Sequence, residues 1–329
     1  MTKHTKKTRL SKDAPIAIIG CGIAGLSAAI SLTLAGYSNV SIFERDVCPG
    51  SRREGFGLTL TYNPKGPLEY LGILEQVAQE DCPSRSHYIF APNGKVLGYY
   101  GNFFRKGRRG FGQRGNMRCP RRRLQEIMTN RLQELLLSMI VEQRSSCSSC
   151  IHWGYTLSKI EVPTASDDKN YVQLQFTKTA VVTTTDTDEV HVDPVIISKE
   201  FELVIAADGV RSSIVESLAP QCQPRPLNVM IILGITDNFQ HPLLTERGFY
   251  VIDGHHRLFT MPYQGDTYTA TRRIMWQLSY RSEDDDGLSE NEYRDPAFLR
   301  DFVIQKCSQW MKPVLSMVQA TPIDTIWGT

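Results

Sequence analysis

The chain has 329 residues, 41% apolar and 22% charged, with a formal net charge of +2. That length supports two domains or one large one, and the composition excludes a disordered, collagenous or small disulfide-stapled chain. The near-neutral balance gives no global electrostatic reason for a nucleic-acid or membrane partner.

Met1–Asp13 carries five Lys or Arg without an amphipathic apolar face. It reads as a flexible basic tail, with organelle targeting left open. Residues 15–36, PIAIIGCGIAGLSAAISLTLAG, then form an almost unbroken apolar run. A basic stretch ahead of an apolar one is the layout of a signal peptide, and a membrane span needs roughly 20 such residues. The run is longer than a usual signal core, however. It contains Gly20, Gly22 and Gly25 as GCGIAG and leads into a Tyr-Ser-Asn turn and VSIFERD instead of a cleavage site. PIAIIG reads as a buried strand, IAGLSAAISLTLAG as a helix and VSIFERD as a second strand, a βαβ unit.

Each glycine of that unit has a physical task. Gly20 makes the tight turn off the strand, Gly22 admits a pyrophosphate close to the backbone, and Gly25 lets the helix pack on the strand. Gly20, Gly22, Ile23, Ala24 and Gly25 are therefore candidate dinucleotide-binding residues, with the unpaired N–H groups of the helix start facing the phosphates. Glu44 ends the second strand, 19 residues after Gly25, where its carboxylate can accept from ribose hydroxyls. A carboxylate there repels a 2′-phosphate. Arg45 follows it as a further candidate contact.

GLTLT then reads as a strand, LEYLGIL as a short helix, and HYIF and KVLGYY as strands. Between Arg105 and Arg123 stand nine Arg or Lys, with Phe103, Phe104 and Phe111 close by. This pattern raises a nucleic-acid reading, against which a loop and helix start near cofactor phosphates is preferred. From Arg121 an Arg-x-x-Leu opens a helix with apolar residues at Leu124, Ile127, Met128, Leu132, Leu135 and Leu136. Cys147-Ser-Ser-Cys150 has metal or redox spacing, but no second pair completes a tetrahedral site, so it reads as a bystander loop and no metal is expected. The eight cysteines (21, 48, 82, 119, 147, 150, 222 and 307) are scattered, which suits reduced thiols in a cytosol-like compartment.

TKTAVVTTTDTDEVHVDP suits a surface hairpin, and FELVIAADGVRSSIVESL is an apolar strand leading to Asp208-Gly209 and a helix start at a serine pair. From Leu227 onward NVMIILGIT, GFYVID, RLFTMPY and TYTATRRIMWQLSY read as an antiparallel sheet with short turns. His255-His256 lie in one such turn. EDDDGLSENEYRD is an acidic loop, and PAFLRDFVIQKCSQWM an amphipathic helix packing on the sheet.

Taken in order, GxGxxG, the acidic strand end, the Arg-x-x-Leu helix and the strand-Asp-Gly segment resemble the single-component FAD-dependent monooxygenases of the para-hydroxybenzoate-hydroxylase-like group. EGFGLTL, GQRGNMRCPRRRL and MWQLSY are similar to its zeaxanthin-epoxidase-like and salicylate-hydroxylase-like branch. The resemblance implies an α/β fold: a Rossmann-like FAD-binding domain (14–82 and 115–222) and an antiparallel-sheet substrate domain (83–114 and 223–329). It also implies that Gly20–Gly25 hold the FAD pyrophosphate, Glu44 the adenosine ribose, and that Arg121, Asp208 and Gly209 contact the cofactor. Val215 stands where the group often places an arginine. NAD(P)H would be a transient reductant, since there is no second GxGxxG, and O₂ with an apolar or aromatic small molecule the substrates. One oxygen atom would be inserted by hydroxylation or epoxidation through a flavin hydroperoxide, a chemistry that needs no catalytic acid, base or nucleophile with a sequence signature.

The group continues into a Gly-Asp-Ala-Ala-His-like segment and a long helix. The one Gly-Asp here, Gly265-Asp266, lies in a turn. The expectation is therefore a chain that stops before that motif and is C-terminally incomplete. A non-catalytic FAD-binding remnant, or another flavoprotein such as a halogenase or reductase, is the alternative. A soluble, cytoplasmic protein with no membrane span is expected.

Overall fold

A computed structural model describes residues 10–50, 55–82, 86–101, 116–142, 150–164, 171–178, 195–222, 224–237, 239–245, 247–264, 273–282 and 288–329. The Arg/Phe-rich stretch up to residue 115, Cys147, the core of the Thr-rich segment, Gly265-Asp266 and residues 283–287 of the acidic loop lie outside them. The rest of that loop includes a short helix, Glu290–Arg294, opened by a capping box of Ser289 and Glu292.

In chain order the elements are β1 (Ile16–Ile19), α1 (Ile23–Leu34), β2 (Val40–Glu44), β3 (Gly57–Thr61), α2 (Pro67–Tyr70), α3 (Leu74–Gln79), β4 (Ser86–Phe90) and β5 (Val96–Gly101). Then come β6 (Asn116–Pro120), α4 (Arg121–Val141), β7 (Ile151–Trp153), β8 (Tyr155–Glu161), β9 (Val172–Lys178), β10 (Val195–Phe201), β11 (Leu203–Ala206) and α5 (Ser213–Leu218). The last third holds β12 (Val229–Asp237), β13 (Arg247–Ile252), β14 (His256–Gln264), β15 (Arg273–Arg281), α6 (Glu290–Arg294), α7 (Pro296–Lys306), α8 (Lys312–Gln319) and β16 (Ile326–Gly328).

LEYLGIL is not one helix. Gly72, at φ +73°, ends α2 in a left-handed turn, with its N–H on Glu69 O and the Ile73 N–H on Leu68 O. Only a residue without a Cβ takes that conformation readily, so α3 starts afresh.

The chain divides into two compact units: Met1–Arg53, Pro67–Ile73 and Leu124–Pro224 in the first; Glu54–Gly66, Leu74–Arg123 and Arg225–Thr329 in the second. The sequence reading groups 54–66, 74–82 and 115–123 with the first domain. In the first unit β11-β1-β2-β7 form a parallel sheet and β10-β9-β8 an antiparallel one. β1 is buried along its whole length, as expected of a parallel strand covered on both faces. One face meets α1, through Gly25, Leu26, Ala29 and Ile30. The other presents Ala17, Ile19 and Phe43 to Leu174, Phe176 and Phe201 of the antiparallel layer.

The second unit is built on a seven-stranded sheet, β16-β12-β15-β14-β13-β4-β5, together with a β3-β6 ribbon. The sheet has one parallel pair, β13 with β4, among otherwise antiparallel neighbours. α7 and α8 cover one face through Leu299, Val303, Val314, Met317 and Val318, against Ile232, Phe249, Leu258, Trp276 and Leu278. Alternation puts Leu233, Ile235, Met261, Tyr263 and Met275 on the opposite face. There the ribbon meets them: the Gly57 N–H lies 3.3 Å from Met275 Sδ, and Tyr263 Oη donates to Gly55 O.

Candidate functional site: a glycine-lined turn beside a buried carboxylate

The site starts where β1 ends. Gly20 has φ +102°, and a Cβ there would overlap the carbonyl of Ala207, which follows β11. Its N–H donates to Phe43 O at 2.8 Å, and the Ala207 N–H donates to Ile19 O at 2.9 Å. The turn is thus pressed between the two neighbouring strands, and only glycine fits it. Gly25 lies in the first turn of α1, where a Cβ would overlap Gly20 O and approach Ile18 Cγ2 to 3.3 Å.

The first intrahelical hydrogen bond of α1 runs from the Leu26 N–H to Gly22 O, and Gly22 at the N-cap offers no side-chain cap. The N–H groups of Gly22, Ile23, Ala24 and Gly25 therefore have no acceptor within the helix. They stand at the positive end of a 12-residue helix whose entrance, Gly22 and Ala24, is lined by minimal side chains.

Glu44, 9% exposed at the end of β2, faces this turn. Its Oε2 accepts the Cys21 N–H at 2.7 Å and its Oε1 the Asp46 N–H at 3.0 Å. The carboxylate so holds the loop and its own strand end in one geometry. The Cys21 thiol is wholly buried, and burial, then the Glu44 charge, push its pKa up to about 12. It is a small packing residue and stays protonated at neutral pH. Gln125 of α4 donates to Cys21 O at 2.8 Å. Sequence reasoning missed this residue; it follows Arg-x-x-Leu directly, but no motif marks it.

Asp208 Cα lies 3.1 Å from the Cβ position of Gly20, and its Oδ2 accepts from Ser213 Oγ at 3.4 Å. Gly209 follows in a left-handed conformation, φ +90°. Gly20–Gly25, Glu44 and Asp208-Gly209 thus gather at the C-terminal ends of β1, β2 and β11, where open α/β sheets bind ligands. Arg45 is exposed beside Glu44. Arg121 opens α4 in the second unit, with its N–H on Phe56 O at 3.1 Å.

The second unit has a polar–aromatic row of its own. The His87 ring stacks on Tyr100 (5.1 Å, 7°) and Phe259 (5.7 Å, 20°), over Gly248. His87 is 4% exposed, and its Nε2 has no partner among the described residues. Burial, then the Arg118 charge, lower its pKa to about 4. Tyr100 Oη donates to Tyr250 Oη at 3.2 Å, and the Arg257 guanidinium lies 5.1 Å from the Tyr250 ring. Among the described residues no cluster of metal-ligating side chains occurs, and no helix is long and apolar enough to cross a membrane.

No family model matches the sequence. It is 27% identical over 201 residues to the FAD-dependent monooxygenase ntnA of Nectria sp, a stretch that takes in 60% of this chain and 22% of that protein. The chain thus spans about a fifth of the length of this relative. Among solved structures, 2,6-dihydroxypyridine-3-hydroxylase from Arthrobacter nicotinovorans superposes with a TM-score of 0.67 at 19% identity, covering 98% of this chain and 72% of that one. HpxO of Klebsiella pneumoniae, complexed with FAD and uric acid, gives 0.63 at 18%, covering 96% and 67%. The chain has the fold of the FAD-dependent monooxygenases of the para-hydroxybenzoate-hydroxylase-like group.

Proposed function

We propose that the first unit binds FAD and that the chain serves an NAD(P)H-dependent monooxygenase acting on an apolar or aromatic small molecule with O₂. The observation that carries this reading is the turn where Gly20 and Gly25 have no room for a Cβ, next to four helix-start N–H groups and the Glu44 carboxylate. These residues fit a dinucleotide. A diphosphate is bound by N–H groups that lack an intrahelical acceptor, and a ribose diol by a carboxylate at the neighbouring strand end. Bound FAD would supply the oxygen-transfer chemistry.

The roles of the chain's own residues follow. The first turn of α1 neutralises diphosphate charge, Glu44 orients the ribose, and Asp208-Gly209 line the turn on its other side. Arg121, an exposed cation at a helix start, is proposed as a further cofactor contact, and Arg45 as an outer one. In the second unit Tyr100, Tyr250 and Phe259 offer ring faces and hydroxyls suited to an aromatic substrate. The cysteines are scattered along the chain and Cys21, Cys82, Cys119, Cys150 and Cys307 are buried as small packing residues, a usage that supports a reducing, cytosol-like compartment.

The test is the visible spectrum of the purified chain after incubation with FAD and desalting, followed by NAD(P)H consumption under O₂. A retained flavin band is expected. A colourless protein, with no flavin retained at any FAD concentration, overturns the cofactor assignment.

A further inference from the structure

β7 lies beside β2 with Phe43 opposite His152 and Glu44 opposite Trp153. His152 stacks on Phe43 at 4.8 Å and 16°, and Phe43 on Phe176 at 4.3 Å and 22°. These contacts fix His152 on the face covered by the antiparallel layer. Side chains alternate along a strand, so Trp153 projects from the other face, the one Glu44 and α1 share. Adjacent strands lie about 4.8 Å apart, so Trp153 and Glu44 stand side by side at the same level of the sheet. The Gly154 N–H donates to Asp46 O at 2.8 Å, tying the chain after Trp153 to the chain after Glu44. Trp153 is half-buried and makes no contact with another aromatic ring among the described residues.

We infer that Trp153 is the binding residue for the adenine ring of the dinucleotide, its indole serving as the face on which the base stacks. The inference rests on the FAD reading of the same site. Glu44 holds the ribose, the base departs from that ribose within one bond, and the neighbouring strand presents a large ring at that point. Base–aromatic stacking needs no directional hydrogen bond, which suits a half-buried indole.

The chain has four tryptophans. Trp276 is fully buried and Trp310 is 8% exposed, both in the second unit, as is Trp327. Fluorescence quenching on titration with ADP, which carries the base and diphosphate but no flavin, therefore reports on Trp153. In the wild type ADP is expected to quench indole emission saturably, and Trp153→Phe to remove that quench while keeping FAD affinity within about threefold, since a phenyl ring still stacks. Trp153→Leu, apolar but without a π face, is expected to lower affinity for both FAD and ADP about tenfold, the factor that ~1.4 kcal/mol of stacking gives. Circular dichroism of each variant establishes that it folds. If wild type and the folded Trp153→Leu bind FAD equally, the adenine role falls and the FAD reading stands. If the wild type binds neither FAD nor ADP, both fall together.

Discussion

Gly25 and Gly36 separate two costs that a glycine can avoid. At Gly36, φ is +85° and nothing lies within 4 Å of a built Cβ, so alanine there meets backbone strain alone, about 1–2 kcal/mol. At Gly25 the backbone is helical, but the Cβ would strike Gly20 O, a main-chain atom pinned between strands. Gly25→Ala should cost more than about 3 kcal/mol, and urea unfolding of the two variants measures the difference. Equal losses would mean that the turn at Gly20 yields. Glu44→Gln tests the next layer of the site. One carboxylate oxygen becomes an amide N–H₂ facing a backbone N–H, so one of the two bonds to Cys21 and Asp46 is lost. A stability loss of roughly 1–3 kcal/mol is expected, with weaker FAD binding in absorbance titrations.

His87 gives the pH dependence. Its folded-state pKa, about 4, lies below the ordinary value of 6.5 because burial and then Arg118 oppose protonation. The unfolded chain takes up the proton first on acidification, so the neutral ring's contribution is complete above 6.5 and is lost as pH falls from there towards 4. His152 and His241, both lowered chiefly by burial, act with the same sign. The slope of unfolding free energy against pH below 6.5 should be shallower in His87→Phe than in the wild type, by up to ~1.4 kcal/mol per pH unit. An unchanged slope would mean that His87 is protonated in the folded protein.

At the level of elements, α7 shows how a helix is seated on a sheet. Asp295 caps it, accepting the Ala297 N–H at 2.9 Å and the Phe298 N–H at 3.3 Å, and Pro296 occupies the first turn. Asp295→Ala should cost about 1 kcal/mol by urea denaturation, with the sheet contacts of Leu299 and Val303 intact. A loss several times larger would show that the cap also sets how the helix meets the sheet. The start of α7 at Pro296, like the GxGxxG unit, was legible in the sequence because the signals lie within a few residues of each other, whereas the capping Asp295 reads there as part of an acidic loop. β1, α1 and β2 follow from local period and glycine placement, and Glu44 from its place at a strand end. What stayed hidden depends on pairings between distant segments. The parallel match of Gly248 with His87 joins residues about 160 apart and follows no local rule. Trp153 carries no motif either. It becomes informative only once parallel pairing sets it opposite Glu44, and Gln125 only once α4 reaches Cys21.

For the molecule as a whole, the residues proposed to hold FAD read only the adenosine-diphosphate half of the cofactor. The groups gathered in the first unit are helix-start N–H donors and a carboxylate, proposed to hold a diphosphate and a ribose; none of them is selective for a flavin ring. A ligand that binds only the folded chain stabilises it by mass action, about 2.7 kcal/mol at a hundredfold excess over its Kd. For a folding unit of this size that corresponds to a rise in Tm of roughly 5–10 °C. FAD should produce such a rise in differential scanning calorimetry, growing with the logarithm of its concentration. ADP should reproduce a substantial part of it, and riboflavin, which lacks both diphosphate and adenosine, should produce none. In Glu44→Gln the increment from FAD and ADP should shrink together. A riboflavin shift equal to that of FAD would move the binding determinant away from the Gly20–Gly25 turn and onto residues that touch the flavin ring.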